Sequence, residues 1–154
     1  MNNGKIFEQE IKNSIPEDVF FYRFKDGTAS WGKSDNTRFQ QHNICDCMLY
    51  DGISLYLLEL KSHKGKSIPL SCIRETQITD LNENAMFQNI VCGFLFNFSD
   101  LGRTFFVDVG DVLNFKRHSD RKSIPVEYCI EQGIEIEGTK KRTRHSWNIK
   151  DLLE

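Results

Sequence analysis

The chain has 154 residues, of which 39% are hydrophobic and 27% charged, with twelve Phe and a net charge of −2. That composition suits a single domain with one sizeable core and gives no overall basic signal for a polyanionic partner. No apolar run approaches the ~20 residues of a membrane span, and Met1-Asn2-Asn3-Gly4-Lys5 lacks the apolar core of a signal peptide, so a cytoplasmic location with no membrane partner is expected.

Residues 4–14 (GKIFEQEIKNS) carry Ile6, Phe7 and Ile11 at helical spacing, and Pro16 stops the run. Val19 to Phe24 reads as a strand. Residues 25–43 are polar and turn-rich, a long loop or arm of the kind that is often functional in a compact domain. Cys45 to Tyr50 and Leu55 to Lys61 then form a hairpin about Asp51-Gly52. A Lys64-Gly65-Lys66-Ser67 linker and Ile68-Pro69-Leu70 lead into a helix from about Cys72 to Asn84. Ile90 to Phe98 is a strongly apolar strand, paired across Ser99-Asp100-Leu101-Gly102 with Arg103 to Val109. Phe94, Phe96 and Phe98 share a face and Phe105 lies on the next strand, forming core or a dimer seam. Val112 to Phe115 begins a short helix, and Pro125 to Gln132 forms another. A last hairpin turns at Gly138 and runs to Trp147, before an Asp151-Leu152-Leu153 end. This order predicts an α/β (α+β) fold, a mixed central β-sheet flanked by helices.

The central hairpin carries the chemistry. A four-residue loop, Asp51 to Ser54, sets Tyr50 opposite Leu55 and therefore Asp46 opposite Glu59, with Cβ atoms roughly 4.5–5.5 Å apart. Like charges there are destabilising unless a cation lies between them. Lys61 falls two residues past Glu59, on the same face. Leu55 and Leu57 share that face and Leu58 and Leu60 the other, so the strand reads as interior. Two carboxylates and an ammonium in that setting suit a divalent metal held beside a phosphodiester. The competing reading is a pair of solvated strand ends with Lys61 as a surface salt bridge, worth about 0–1 kcal/mol. Cys45 and Cys47 flank Asp46 and are expected on the face opposite it, as small buried hydrophobes. Five cysteines without a CxxC pair argue against a disulfide framework or a structural zinc.

Cations cluster although the whole chain is slightly acidic. Nine of the twenty Lys and Arg lie between Lys116 and Lys150, against five acids, Asp120, Glu127, Glu131, Glu135 and Glu137. Lys140, Lys141, Arg142 and Arg144 on the last hairpin, and Lys64, Lys66 and Arg74 beside the candidate site, are the candidate DNA contacts. A solvated hairpin tip is the alternative for the first group. His42, His63, His118 and His145 show no metal-ligand spacing, Asp108 reads as a strand end, and Tyr22, Arg23 and Trp31 are further candidates for touching DNA. No GxGxxG, P-loop or GxSxG is present, so a nucleotide cofactor and acyl transfer have no foothold.

The ordered pieces Asn3-Gly4-Lys5-x-x-Glu8, Asp46…Glu59-Leu60-Lys61-Ser62, Lys66-Ser67-Ile68-Pro69-Leu70 and Gln77-Ile78 resemble the RecU-type Holliday junction resolvases of the PD-(D/E)XK nuclease superfamily. The resemblance covers residues 1 to about 110, with the helices and basic hairpin of 111–154 outside it. It implies a magnesium-dependent endonuclease, with manganese able to substitute, that acts as a homodimer and nicks four-way DNA junctions symmetrically. It further implies Asp46 and Glu59 as metal carboxylates, Lys61 as the catalytic lysine, Gln77 as a support of the metal site and Glu8 as the acid of the first helix. Two departures stand out: Ile44 replaces a threonine two positions before the aspartate, and the segment between Lys61 and Gln77 is one residue shorter. The size would suit a phage or a low-GC bacterium. A nuclease of the same fold with another DNA substrate, and a non-catalytic DNA-binding recombination factor, are the alternatives.

Overall fold

The computed structural model describes residues 2–25 and 42–153. The expected arm at 25–43 therefore lies, over residues 26–41, outside the described residues, and so does Trp31. A six-stranded mixed sheet forms the centre, in the order β1 (Phe20–Arg23), β2 (Cys47–Tyr50), β3 (Leu55–His63), β5 (Ile90–Phe98), β6 (Arg103–Asp108) and β8 (Ile134–Ile136). Every neighbouring pair is antiparallel except β3 and β5, which run parallel over nine residues. A parallel pair needs a crossover. Here it carries the short strand β4 (Ser67–Pro69), a 3-10 turn (Leu70–Cys72) and helix α2 (Glu75–Asn84).

Helix α1 (Asn3–Ser14) begins where the Asn2 side chain accepts the Lys5 N–H at 2.9 Å and ends ahead of Pro16. Its buried stripe, Phe7 and Ile11, packs against Cys47, Leu49, Leu58, Leu95 and Trp147 on one face of the sheet. On the other face α2 covers β5, α3 (Val109–His118) covers β5 and β6, and α4 (Val126–Gln132) covers β6. That second core holds Leu57, Ile78, Leu81, Phe94, Phe96, Phe98 and Phe105. The Phe residues left open between core and dimer seam are core. Gly93 is needed where β5 meets β6, because a Cβ there would lie 2.5 Å from the Val107 carbonyl oxygen and 2.6 Å from the Phe106 ring.

Several expectations are corrected. The helix expected from Cys72 starts at Glu75, after the 3-10 turn, and the one expected from Val112 starts at Val109, where the Asp108 carboxylate accepts the Gly110 N–H at 2.8 Å. Gly138 is not a turn residue. It opens β9 (Gly138–Lys140) opposite the last residue of β10 (His145–Trp147), and the Trp147 ring lies where its Cβ would be. The turn is 141–144, closed by Lys141 N–H to the Arg144 carbonyl. Two short pairings carry no forewarning in the sequence, β8 on the edge of β6 and β4 with β7 (Ser123–Pro125). The chain ends in α5 (Lys150–Leu153), and no described helix is long and apolar enough to cross a membrane.

Candidate active site

Asp51 sets the register on which the site depends. Its carboxylate accepts the N–H groups of Ile53 and Ser54 at 2.9 and 2.8 Å, which fixes a four-residue loop and places Tyr50 opposite Leu55. The ladder runs to Cys47 opposite Leu58, and Asp46 extends it by donating its N–H to the Leu58 carbonyl at 3.1 Å. Asp46 thus reaches Glu59 across the strands. Its Oδ2 also accepts the Leu60 N–H at 2.8 Å, so one carboxylate oxygen is pinned to the strand that carries its partner.

Glu59 is 5% exposed, on the face covered by α2. Its Oε1 accepts Gln77 Nε2–H at 2.7 Å and lies 3.4 Å from Lys61 Nζ. Its carboxyl is within hydrogen-bonding reach of that of Asp46. Burial, and then the charge of Asp46, push the Glu59 pKa from 4.5 up to about 7, against the opposing pull of Lys61. Near neutral pH Glu59 therefore carries a proton for part of the time. A hard cation can replace that proton, because it cancels the repulsion that holds the proton there. The donor set fits magnesium, which takes one or two carboxylates and keeps several waters. Among the described residues no three His, Cys, Asp or Glu side chains converge as a complete metal cage.

Gln77 sits in the first turn of α2. Its amide oxygen accepts the Arg74 N–H at 2.9 Å while its NH2 holds Glu59. The one-residue shortening of the preceding segment therefore does not keep Gln77 from the site. Gln77 is brought to the site, where its NH2 holds the Glu59 carboxylate. The cysteines depart from expectation. A bend at 44–46 breaks the strand alternation, so Cys45 enters the α2-side core beside Glu59 and only Cys47 faces α1. Burial first, and then the Glu59 charge, push the Cys45 thiol up to about 12, which keeps it an inert space-filler. Ile44, in the same bend, is 37% exposed.

Glu8 is engaged elsewhere. Its carboxylate forks with Arg23, Nε to Oε2 at 3.1 Å and Nη2 to Oε1 at 3.2 Å, and no hydrogen bond or ion pair joins it to Asp46 or Glu59 among the described residues. The candidate DNA cations fall into two groups. Lys64, Lys66 and Arg74 are exposed on the segments that follow Lys61 and precede Gln77. Lys140, Lys141, Arg142 and Arg144 are exposed on the β9–β10 hairpin, which packs on α1 through a Trp147–Phe7 edge contact at 6.3 Å. Sequence reasoning missed what anchors that hairpin. Buried Glu10 accepts the His145 N–H at 2.9 Å and Trp147 Nε1–H at 3.1 Å, while Ser14 Oγ accepts the Trp147 N–H at 2.9 Å. A carboxylate on the inner face of a helix, four positions before Ser14, was the only available sign.

A family model described as RecU, Recombination protein U, matches residues 2–145. The SPbeta prophage-derived uncharacterized protein YotM of Bacillus subtilis is 33% identical over 167 residues, covering 98% of this chain and 85% of that protein. Among solved structures, Archaeoglobus fulgidus Hjc, a Holliday junction resolvase from an archaeal hyperthermophile, superposes with a TM-score of 0.56 at 13% identity, over 85% of this chain and 93% of that one. At that identity the likeness speaks for the fold alone, a mixed central sheet flanked by helices.

Proposed function

This chain belongs to the RecU family, and we propose that it is a metal-dependent endonuclease that resolves four-way DNA junctions by paired symmetric nicks. The observation that carries the catalytic reading is the buried Glu59 carboxyl beside half-buried Asp46, braced by Gln77 and Lys61 on an apolar sheet. A fold has little reason to bury one acid against another for stability, since a buried charge beside a like charge is costly.

Asp46 and Glu59 would hold magnesium, or manganese, and the ion would supply Lewis-acid stabilisation of the phosphate and a water of lowered pKa. The chain's own groups do the rest. The Leu60 N–H and Gln77 keep the two carboxylates facing one another, so their geometry is set before DNA arrives. Lys61, half-buried and within reach of Glu59, orients the attacking water and offsets negative charge on the phosphorane-like transition state. Lys64, Lys66 and Arg74, exposed on the segment between Lys61 and Gln77, would meet phosphates beside the cut bond. Two symmetric cuts across one junction require two sites related by a two-fold axis, so the active form is a homodimer.

The test is cleavage of a labelled synthetic four-way junction with magnesium, manganese or chelator, beside Asp46→Ala and Lys61→Ala. Nicking that needs the metal and falls by about 10²-fold or more in both variants supports the reading. Cleavage indifferent to chelator or to both substitutions overturns it. A panel of flaps, linear duplex, single strands and plasmid distinguishes a junction resolvase from a nuclease of the same fold with another substrate.

A further inference from the structure

A cation-lined groove lies on the α1 face of the sheet, sharing no residue with Asp46, Glu59, Lys61 or Gln77. It is a groove of about 420 Å³ between α1, β1 and the β9–β10 hairpin, with Lys5, Lys12, Arg23 and Arg144 on its walls and half-buried Phe21 between them. Its one carboxylate, Glu8, is already forked onto Arg23. Four cations against one acid give the groove a charge of +3, in a chain whose net charge is −2. Among the described residues none of Lys5, Lys12 and Arg144 has an ion-pair partner.

We propose that this groove binds the phosphodiester backbone of a DNA segment through Lys5, Lys12 and Arg144. Spacing decides for a polymer. Lys5, Glu8 and Lys12 recur at helical intervals on one face of α1, and seven residues of helix separate the two lysines by about 10 Å. A single small anion cannot answer both, whereas one strand of duplex DNA carries a phosphate about every 3.4 Å along its axis. Arg144 faces them from another element, and its position is preset. The adjoining His145 and Trp147 are tied to α1 by Glu10 and Ser14, so closing the groove costs little ordering entropy when DNA enters. Contacts of this kind carry affinity and orientation but no sequence information. The groove lies on the α1 face of the sheet and Glu59 on the α2 face, so it would hold a stretch of substrate other than the one being cut, and this inference rests on the nuclease reading for the identity of its polymer.

The experiment is fluorescence anisotropy of a labelled four-way junction with the full chain in chelator, titrated at several salt concentrations. Lys5→Ala/Lys12→Ala/Arg144→Ala is compared with the charge-conserving Lys5→Arg/Lys12→Arg/Arg144→Lys, and circular dichroism confirms that both remain folded. The alanine variant is expected to bind about tenfold or more weakly at 0.1 M salt, with the slope of log K against log salt reduced in magnitude by about two to three, while the conserving variant keeps the original slope. An unchanged slope and affinity in the alanine variant, or no salt-dependent binding by the unsubstituted chain, overturns the proposal. Because no cleavage is read, the outcomes separate cleanly. A chain that binds through the groove yet cuts no DNA in any metal sinks the nuclease reading alone, whereas metal-dependent cutting with unaltered binding by the alanine variant sinks the groove alone.

Discussion

Replacing Glu59 by Gln should make the metal-free protein more stable at alkaline pH while removing its activity. The amide keeps the shape of the side chain, and its oxygen can still accept Gln77 Nε2–H. What it removes is a buried ionisation. In the folded state Glu59 titrates near 7 against an ordinary value of 4.5, with burial as the larger cause and the Asp46 charge as the second. The folded protein thus binds this proton more tightly than the unfolded chain does. The associated stability is fully present below about pH 4.5 and is lost as pH rises through about 7. At about 1.4 kcal/mol per decade of proton affinity, the loss amounts to on the order of 3 kcal/mol by pH 8.5. For a protein of this length that corresponds to roughly 6–12 °C in Tm. Urea or thermal unfolding in chelator between pH 5 and 9 measures it: the two proteins should draw apart as pH rises, the variant ending higher. Adding magnesium should then raise the original protein and leave the variant where it was. Parallel stability curves across that range would refute the claim that Glu59 is desolvated beside a like charge.

Four further outcomes follow from single contacts. Magnesium affinity, read by calorimetry or by the metal-induced Tm shift, should strengthen as pH rises towards about 7 and level off above it, because below that value the ion must displace the Glu59 proton; a flat profile from pH 6 to 8 would count against the carboxyl pair as the site. Gln77→Ala removes both the donor to Glu59 and the acceptor at the head of α2, so urea unfolding should show about 1–2 kcal/mol lost and junction cleavage should fall about tenfold. Glu10→Ala leaves the His145 N–H and Trp147 Nε1–H without their acceptor and should cost about 2–4 kcal/mol, seen as a lower unfolding midpoint and faster proteolysis at the 141–144 turn. Gly93→Ala drives a Cβ to 2.5 Å from the Val107 carbonyl oxygen and should cost about 3 kcal/mol or more, measured as loss of soluble folded protein.

What could be read in the sequence was whatever a local pattern determines. Asp51-Gly52 and the apolar alternation of Leu55 to Leu60 set the register of β2 on β3, and from that register alone Asp46 falls opposite Glu59. The strongly apolar run Ile90 to Phe98, interrupted only by Gly93 and Asn97, marks an interior strand. The remainder depended on long-range pairing between pieces too short to show a period. Three-residue strands such as β7 and β8 have no signal of their own and exist because Ser67–Pro69 and β6 offer them open edges. Gly138 looked like a turn because glycine usually serves turns, but here its missing side chain makes room for Trp147. The bend at 44–46 sends Cys45 and Cys47 to opposite faces, something a strict two-residue alternation cannot express.

The same distinction explains why the site residues were legible while their supports were not. Asp46, Glu59 and Lys61 break a hydrophobic pattern, and a broken pattern stands out. Gln77 and Glu10 break none. Each is a polar residue on a polar-rich helix, and each matters because of a partner 18 or 135 residues distant. Of the two, only Gln77 could be named beforehand, through family resemblance, as a support of the site. Supports of this sort are chosen by geometry rather than by residue type. A search for other positions that tune the site should therefore begin from the hydrogen bonds around Glu59 and Asp46, with the Leu60 N–H as the fixed point, since that backbone donor survives every substitution at its own position but proline.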